Sequence, residues 1–230
     1  MQQKDFKAII FDLFHTLTSL ESVKAPGRST TDILGISRKD WNNQLLFYSD
    51  DRLRGKIKDP FEIIAINAYA INPNISEETI REAANNRINR FKFSLEHIEP
   101  TTIDVLERLR TSEKLLGLIT NADVSEIAGW NNSPLKKYFN SVVFSCAVGY
   151  IKPEKEIYEI CLSELGVLPR EAIFVGDGGS TELRGAKELG MTTVLTTQVI
   201  KNIWPEKIDE RRKYADYEID ELKWFFELKL

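Results

Sequence analysis

The feature that most constrains the fold of this chain is a set of short apolar runs that alternate with longer helical patterns. The segments TTIDVLERLR, KEIYEICLSELG and TELRGAKELG lie between the runs and carry apolar residues at helical spacing. Short apolar runs are typical of strands buried on both faces, and their alternation with helices is typical of βαβ units. The sequence therefore predicts an α/β fold around a parallel sheet, with strands at KAIIF, KLLGLIT, SVVFS, AIFVG and TTVLTT.

A sixth run, ADYEI, is followed by DELKWFFEL. This pair predicts an edge strand and a final helix. ADYEI lies within the charge-rich stretch DERRKYADYEIDELK. The mixed signs of this stretch indicate a solvated helix and its connections rather than a binding tail.

Small polar or acidic residues follow several of the predicted strands. The carboxyl ends of parallel strands line the ligand crevice of an open sheet, so residues far apart in the sequence can meet there. We therefore expect Asp12 and Asp177 to be neighbours. The residues at these strand ends are Asp12, Thr120 with Asn121, Ser145 and Asp177.

The segment between the first two predicted strands has a different character. Its stretches WNNQLLFYSDDRL, DPFEIIAINAYAI and SEETIREAANNRINRFKF have helical spacing, and NPNIS supplies a break. Ser76 is suited to cap the helix that follows this break. We expect an all-helical insertion that emerges at the crevice and could act as a lid.

Length, composition and charge limit the class of protein. A chain of 230 residues with 42% hydrophobic residues can bury a sizeable core. A net charge of -4 with interleaved acids and bases gives no basic field for nucleic acid. No stretch reaches the roughly 18 apolar residues of a membrane span, and the first residues lack a signal-peptide layout, so we expect a cytoplasmic protein. Cys146 and Cys161 form no CxxC motif, which gives no indication of a disulfide framework or a zinc site.

Four separated segments carry a family resemblance: FDLFHTL, LITNAD, IKPEKEIY and FVGDGGSTELRGAKELGM. In this order and strand context they resemble the haloacid dehalogenase-like (HAD) hydrolase superfamily, in members with a helical cap inserted after the first strand. The resemblance implies a Rossmann-like three-layer core with a parallel sheet and a small all-helical cap domain. The core is then expected at residues 1–18 and 100–230, and the cap at residues 19–99.

The resemblance also assigns roles to polar residues. It implies that Asp12 is a nucleophile that forms a covalent intermediate and that Lys152 offsets the charge on Asp12 and on the bound oxyanion. Thr16, Thr120 and Asn121 match positions that donate hydrogen bonds to a phosphoryl group, which Lys152 would also hold. Structural alternatives exist: Asp12 could cap a turn, the other three could satisfy backbone groups at strand-to-helix turns, and Lys152 could be a surface lysine.

The fourth segment points to a metal ion. In phosphoryl-transferring members of the family, Mg²⁺ is held by the residues matching Asp12, Asp177 and the backbone carbonyl of Phe14. Oxygen ligands of this kind are what Mg²⁺ prefers. Glu182 lies where many relatives have a supporting aspartate, and we give it a supporting role here.

Phe14 departs from the phosphatase pattern, which has a second aspartate there to protonate the leaving oxygen and later to activate water. Loss of this assistance is expected to cost on the order of 10² to 10⁴ in rate, most severely for poor leaving groups. Dehalogenases of the family commonly have an aromatic residue at the position of Phe14, whereas Asp177 favours a phosphatase. His15 could partly replace the missing acid, or it could simply pack beneath the cap or lie exposed at its hinge.

The sequence therefore predicts a Mg²⁺-dependent hydrolase, first of all a phosphatase that acts on a small phosphorylated metabolite. A carbon–halogen hydrolase and a catalytically silent phosphate-binding protein are the alternatives. A small molecule is the expected partner, with neither nucleic acid nor membrane, and the sequence sets no oligomeric state. Substrate choice is expected to lie in the cap, where Arg28, Arg52 and Arg54 could reach an anionic group or simply face solvent.

Overall fold

The computed structural model describes residues 6–19 and 25–229, which form a six-stranded sheet with helices on both faces. The strand order is β3-β2-β1-β4-β5-β6, and all neighbouring strands are parallel. The predicted α/β fold is therefore confirmed, including the edge strand from ADYEI. The strands are β1 Ala8–Phe11, β2 Leu115–Thr120, β3 Ser141–Phe144, β4 Ala172–Gly176, β5 Thr192–Thr196 and β6 Tyr217–Ile219.

The α-helices fall into two groups in chain order. Among the described residues, six lie between β1 and β2, and the first five form the group that we call the cap: α1 Thr30–Leu34, α2 Arg38–Phe47, α3 Ser49–Leu53, α4 Pro60–Ile71 and α5 Glu77–Glu96. The others belong to the core: α6 Pro100–Thr111, α7 Ser145–Val148, α8 Lys155–Leu165, α9 Glu182–Glu188, α10 Ile200–Ile203 and α11 Ile208–Arg212.

Short 3₁₀ helices complete the described structure, and one of them replaces the expected final helix. That segment is a 3₁₀ helix over Leu222–Glu227. The aromatic residues of WFFE are weak helix formers, which disfavours an α-helix there. The other 3₁₀ helices are Trp130–Asn132, Lys136–Tyr138, Pro169–Glu171, Gly179–Thr181 and Pro205–Lys207.

The central strand β1 shows how the sheet separates two apolar layers. Successive side chains of a strand point to opposite faces. Ile9 and Phe11 accordingly belong to the core cluster that includes residues of α6, whereas Ala8 and Ile10 belong to the cluster that includes residues of α8 and α9. Helix, sheet and helix form three layers, as the family resemblance implied.

The cap has an apolar cluster of its own. Trp41, Ile64 and Ile80 are among the buried residues of this cluster. Ser76 caps α5 as predicted, because its side chain accepts a hydrogen bond from the Thr79 backbone amide at 3.2 Å. Among the described residues, no helix combines the length and the apolarity that crossing a membrane requires.

The two connections between cap and core lie side by side. The Thr18 hydroxyl, on the chain leaving the core, donates to the Ser94 carbonyl near the end of α5 at 3.0 Å. Phe91 and Leu95, also in α5, pack into the core cluster rather than the cap cluster. The division into residues 1–18 and 100–230 for the core and 19–99 for the cap stays a prediction.

Candidate active site

Asp12 follows β1 and is almost fully buried, with 6% of its surface exposed. Its backbone amide donates to the Val175 carbonyl of β4 at 2.9 Å, which continues the strand pairing. Its Oδ2 accepts from the Thr16 hydroxyl at 2.9 Å, and its Oδ1 accepts from Lys152 Nζ at 2.5 Å. Both oxygens of the carboxylate are therefore held in fixed directions.

Lys152 lies at the centre of a buried charge network. Its ammonium donates to Asp12 Oδ1 and to Glu182 Oε2, each at 2.5 Å, and to the Ile119 carbonyl at 3.1 Å. An ammonium has three protons, so these acceptors use its full donor capacity. Burial by itself would lower the pKa of Lys152, but the carboxylates of Asp12 and Glu182 outweigh that effect and raise it. The lysine is therefore buried and charged, and the surface position considered from the sequence is wrong.

Asp12, Asp177 and Glu182 form a buried acidic cluster. One carboxylate oxygen from each of the three lies within 4.8 Å of the others. The predicted proximity of Asp12 and Asp177 is therefore confirmed. Burial and the nearby Asp12 raise the pKa of Glu182 to about 8. Burial also raises the pKa of Asp12, and the ammonium of Lys152 opposes that shift.

Gly176 makes room for Glu182. A Cβ atom at Gly176 would lie 2.1 Å from Glu182 Oε1, so no larger residue fits there without displacing the carboxylate. The same oxygen accepts from the Gly178 backbone amide at 3.0 Å. Glu182 is thus fixed from two sides, and its expected role in supporting a metal ion stays a prediction.

The donor chemistry of this cluster fits Mg²⁺. The residues predicted as ligands are Asp12, the Phe14 carbonyl and Asp177, which together offer only hard oxygen donors. Lys152 pairs with Asp12 and Glu182, and Arg211 pairs with Asp177. A divalent cation would therefore find suitable oxygen ligands, beside two cations that already pair with them.

Asp177 has further partners from the other side of the site. Arg211 Nη1 donates to Asp177 Oδ2 at 2.7 Å and to its carbonyl at 2.9 Å. The Gly179 amide donates to Asp177 Oδ1 at 2.8 Å. His15 Nδ1 lies 3.7 Å from Oδ2. The position of Asp177 is fixed through each of its oxygens.

Phe14 faces the cap. Its ring meets the ring of Phe91 in α5 edge to face, with centroids 5.4 Å apart, and the guanidinium of Arg87 lies over the Phe91 ring, 4.7 Å from its centroid. Phe14 is 8% exposed and belongs to the core cluster. The side chain where many relatives have an acid is therefore a packing contact between core and cap.

His15 lies beside Asp177. Its backbone is left-handed, with φ at 64°, which few residues other than glycine adopt. The ring packs edge to face on Trp204, with centroids 4.9 Å apart. The side chain is buried, so the exposed hinge position considered from the sequence is wrong.

Thr120 and Asn121 lie at the carboxyl end of β2, next to Asp12. Thr120 is buried. The Asn121 side chain makes a reciprocal pair with the Lys152 backbone: Nδ2 donates to the carbonyl at 3.0 Å, and Oδ1 accepts from the amide at 2.8 Å. Asn121 thus holds the segment that carries the lysine. Its predicted contact with a phosphoryl group stays a prediction.

Sequence reasoning missed most of a buried ionic network between cap and core. Arg52 Nη1 donates to Asp123 at 2.9 Å and to Glu126 at 3.4 Å, and Arg87 Nη2 donates to Glu126 at 2.6 Å. Burial raises the pKa of Glu126, as does Asp123 beside it. The available signals were Arg52, considered from the sequence as a possible partner of an anionic group, and Asp123, at the end of the LITNAD segment.

The three arginines that we considered from the sequence have different surroundings. Arg52 is buried in the ionic network, and Arg28 is exposed. Arg54 forms ion pairs with Asp50 at 2.9 Å and with Glu154 at 2.5 Å. Of these three, Arg52 alone also lines the cavity described next.

A cavity of about 310 Å³ lies between the cap and the Asp123–Glu126 turn. Apolar walls and hydroxyl groups line it together with arginines and with Glu126, which pairs with Arg52 and Arg87. Phe91, which contacts Phe14, forms part of its wall, so the cavity adjoins the Phe14 side of the site. Its lining includes Thr30, Arg38, Trp41, Arg52, Arg87 and Phe91.

The fold and this site are those of a hydrolase. More particularly, residues 6–190 match the family model described as haloacid dehalogenase-like hydrolase, and the chain belongs to that family. The resemblance stated from the four sequence segments is therefore confirmed.

Known proteins similar to this chain include both phosphatases and dehalogenases. A glyceraldehyde 3-phosphate phosphatase of Methanocaldococcus jannaschii is 31% identical over 135 residues, which cover 57% of this chain and 56% of that protein. The chain thus spans about half the length of the curated relatives it matches.

Two solved structures share the fold. The L-2-haloacid dehalogenase of Xanthobacter autotrophicus, with chloropropionic acid covalently bound, has a TM-score of 0.65 and 18% identity, with 96% of both chains covered. A HAD family enzyme of Bacteroides thetaiotaomicron, in complex with magnesium and inorganic phosphate, has a TM-score of 0.59 and 21% identity, with 83% of this chain and 94% of that chain covered.

Proposed function

We propose that this chain is a Mg²⁺-dependent phosphatase that transfers the phosphoryl group of a small metabolite to Asp12 and then to water. The observation that carries the proposal is the Asp12 carboxylate, buried and held by Thr16 and Lys152 beside the carboxylates of Asp177 and Glu182. Similarity to glyceraldehyde 3-phosphate phosphatases supports it.

In the first step, an Asp12 carboxylate oxygen attacks phosphorus. The bond between phosphorus and the leaving oxygen breaks, and its electron pair stays with that oxygen. The Lys152 ammonium offsets negative charge at the reacting group, and Thr16 keeps the carboxylate oriented. We assign to Thr16, Thr120, Asn121 and Lys152 the contacts with the phosphoryl oxygens; Thr16 and Lys152 would each exchange one of their present hydrogen bonds for this contact.

Asp12, the Phe14 carbonyl and Asp177 would hold Mg²⁺, with Glu182 in support. The bound ion supplies charge neutralisation and orients the phosphoryl group. In the second step, water attacks the aspartyl phosphate, the acyl phosphate is cleaved, and Asp12 is regenerated with release of inorganic phosphate.

Phe14 narrows the range of substrates. A phenyl ring cannot protonate the leaving oxygen, so esters whose leaving groups depart without a proton are favoured over alkyl phosphates. The non-transferred part of the metabolite would occupy the cap cavity, where Arg38 supplies positive charge and where Arg52 and Arg87 are already paired with Glu126.

The experiment is turnover of p-nitrophenyl phosphate with Mg²⁺ or with a chelator. The variants are Asp12→Asn and, as a matched control, Asp104→Asn, which makes the same change at an exposed position of α6. We expect activity that requires both Mg²⁺ and Asp12 and that survives in the control. Activity that persists in Asp12→Asn, or in the chelator, would contradict the proposal.

Carbon–halogen hydrolysis is the second candidate, and Phe14 favours it. Asp12 would attack carbon, the halide would leave with the bonding electrons, and water would then hydrolyse the resulting ester. A halide needs no proton, so an aromatic residue at position 14 has no cost for this reaction. Release of chloride from L-2-chloropropionate in the presence of a chelator, lost in Asp12→Asn, would select this candidate over the phosphatase.

A further inference from the structure

The segment after β5 brings a cation to the acidic cluster that neither the family resemblance nor the proposed reaction uses. This segment consists of α10, the 3₁₀ helix Pro205–Lys207 and α11. Arg211, near the end of α11, makes two hydrogen bonds through one nitrogen, to Oδ2 and to the carbonyl of Asp177. Its side chain is only 12% exposed, so the contact is shielded from solvent.

Gly178 leaves space for the side chain of Arg211. Gly178 has φ at +80°, a conformation that favours glycine. A Cβ atom built on Gly178 would lie 2.8 Å from Arg211 Cβ and 3.1 Å from its Cγ and Cδ. The aliphatic stem of the arginine therefore lies directly on the loop that carries Asp177, in space that any other residue at position 178 would fill.

Trp204 supports the arginine from the same segment. The Arg211 guanidinium lies 5.8 Å from the indole centroid, within the range of a cation–π contact. The same ring packs on His15, whose Nδ1 is 3.7 Å from Asp177 Oδ2. Three features therefore hold the guanidinium at Asp177: its two hydrogen bonds, the space left by Gly178 and the contact with the Trp204 indole.

A guanidinium in this place affects any cation that uses Asp177. The guanidinium of an arginine carries a positive charge. Asp177 Oδ2 accepts a hydrogen bond from Arg211, and Oδ1 accepts one from the Gly179 amide. Both oxygens therefore already have a donor beside them. A divalent ion at the same carboxylate would also be repelled by the positive charge beside it.

We propose that Arg211 is a positioning residue that neutralises Asp177 and competes with the divalent cation for this carboxylate, so that it sets a weak metal affinity. The inference rests on the proposed Mg²⁺ site. It assigns to α11 a role in metal loading: Arg211 holds Asp177 in place before the ion binds, and it must share or release Oδ2 when the ion arrives.

The test is isothermal titration of the whole protein with MgCl₂ alone, without substrate. Arg211→Met keeps the aliphatic stem over Gly178 and removes the charge, whereas Arg211→Lys keeps the charge. Arg212→Met is the matched control, because it makes the same charge change one residue later on an exposed side chain that pairs with Asp209 and Glu218.

We expect Arg211→Met to bind Mg²⁺ roughly tenfold or more tightly than the unchanged protein, because a positive charge next to the ion is gone. Arg211→Lys and Arg212→Met should stay within about twofold of the unchanged protein, since the first keeps a charge near Asp177 and the second lies outside the site. Equal affinity in Arg211→Met and the unchanged protein would overturn the inference and leave the proposed function intact.

Thermal unfolding gives a second readout. In chelator, Arg211→Met should unfold at a lower temperature than Arg212→Met, because it leaves buried Asp177 without its cation. Added Mg²⁺ should then raise the midpoint of Arg211→Met more than that of the unchanged protein, as tighter binding requires. Binding that appears in Arg211→Met alone would support the inference, whereas no Mg²⁺ binding in any variant would overturn both the inference and the proposed metal dependence.

Discussion

Replacing Phe14 with aspartate tests the main departure of this chain from a phosphatase pattern. The carboxylate would stand two residues after the proposed nucleophile, on the side of the site that faces Phe91 of the cap. Nearby carboxylates disfavour a further negative charge and raise the pKa of such a group, which suits a proton donor. We expect Phe14→Asp to turn over alkyl phosphates about 10² to 10⁴ times faster than Phe14→Asn, which has the same shape but no acidic proton.

That gain corresponds to roughly 2.7 to 5.4 kcal/mol of transition-state stabilisation. The loss of stability is of similar size, because Phe14 is 8% exposed and packs in the core cluster. Removing a buried phenyl ring costs about 3 to 5 kcal/mol, against about 5 to 15 kcal/mol for a whole domain. For a chain of this size the unfolding midpoint should fall by roughly 6 to 20 °C, so turnover has to be measured well below the lowered midpoint.

The assay compares an alkyl phosphate with p-nitrophenyl phosphate in both variants. The aryl ester leaves without a proton, so its turnover should change by less than about tenfold between Phe14→Asp and Phe14→Asn. The asparagine variant carries the same loss of packing and so controls for stability. Equal acceleration of both esters, or equal rates in the two variants, would refute the idea that Phe14 occupies the position of a proton-donating acid.

Two further predictions concern stability and thiol chemistry. Arg52→Met leaves Asp123 without its 2.9 Å partner in a buried network and should lower the free energy of unfolding by about 3 to 5 kcal/mol. Lys56→Met removes an exposed pair and should change the free energy of unfolding far less. Urea unfolding measures both, and equal losses would contradict the prediction. Burial raises the pKa of Cys146 to about 11 and that of Cys161 to about 12, so iodoacetamide at about pH 8 should label the folded protein slowly and the urea-unfolded protein quickly. Rapid labelling before unfolding would show that these thiols are not shielded.

The parts of the site that follow from the sheet could be predicted from the sequence. Asp12 and Asp177 are far apart along the chain, but each ends a strand, and β1 and β4 are adjacent and parallel. The rule that strand carboxyl ends meet at one edge is therefore enough to bring the two together. Ser76 was predictable for a similar reason, because an N-cap is a local feature of chain and helix.

The parts that depend on loop geometry could not be predicted. Arg211 lies in a run whose mixed charges indicated a solvated helix, and its neighbour Arg212 is indeed exposed. Only the direction in which α11 packs on the Gly178 loop separates these two arginines. Asn121 likewise binds the Lys152 backbone because two loops from different strands approach each other, which neither segment encodes alone.

The adjacent connections of the cap have a consequence for how such a protein can diversify. The chain leaves the core near Thr18 and returns near Ser94, and these two points are joined by a hydrogen bond. Whatever lies between them closes a loop whose ends already touch, so its length and content can change at little entropic cost to the sheet. With an apolar cluster of its own, the helical segment resembles an exchangeable module. The cap of another family member could be grafted between these two points. We would expect the substrate range to change while the proposed catalytic residues of the core stay the same.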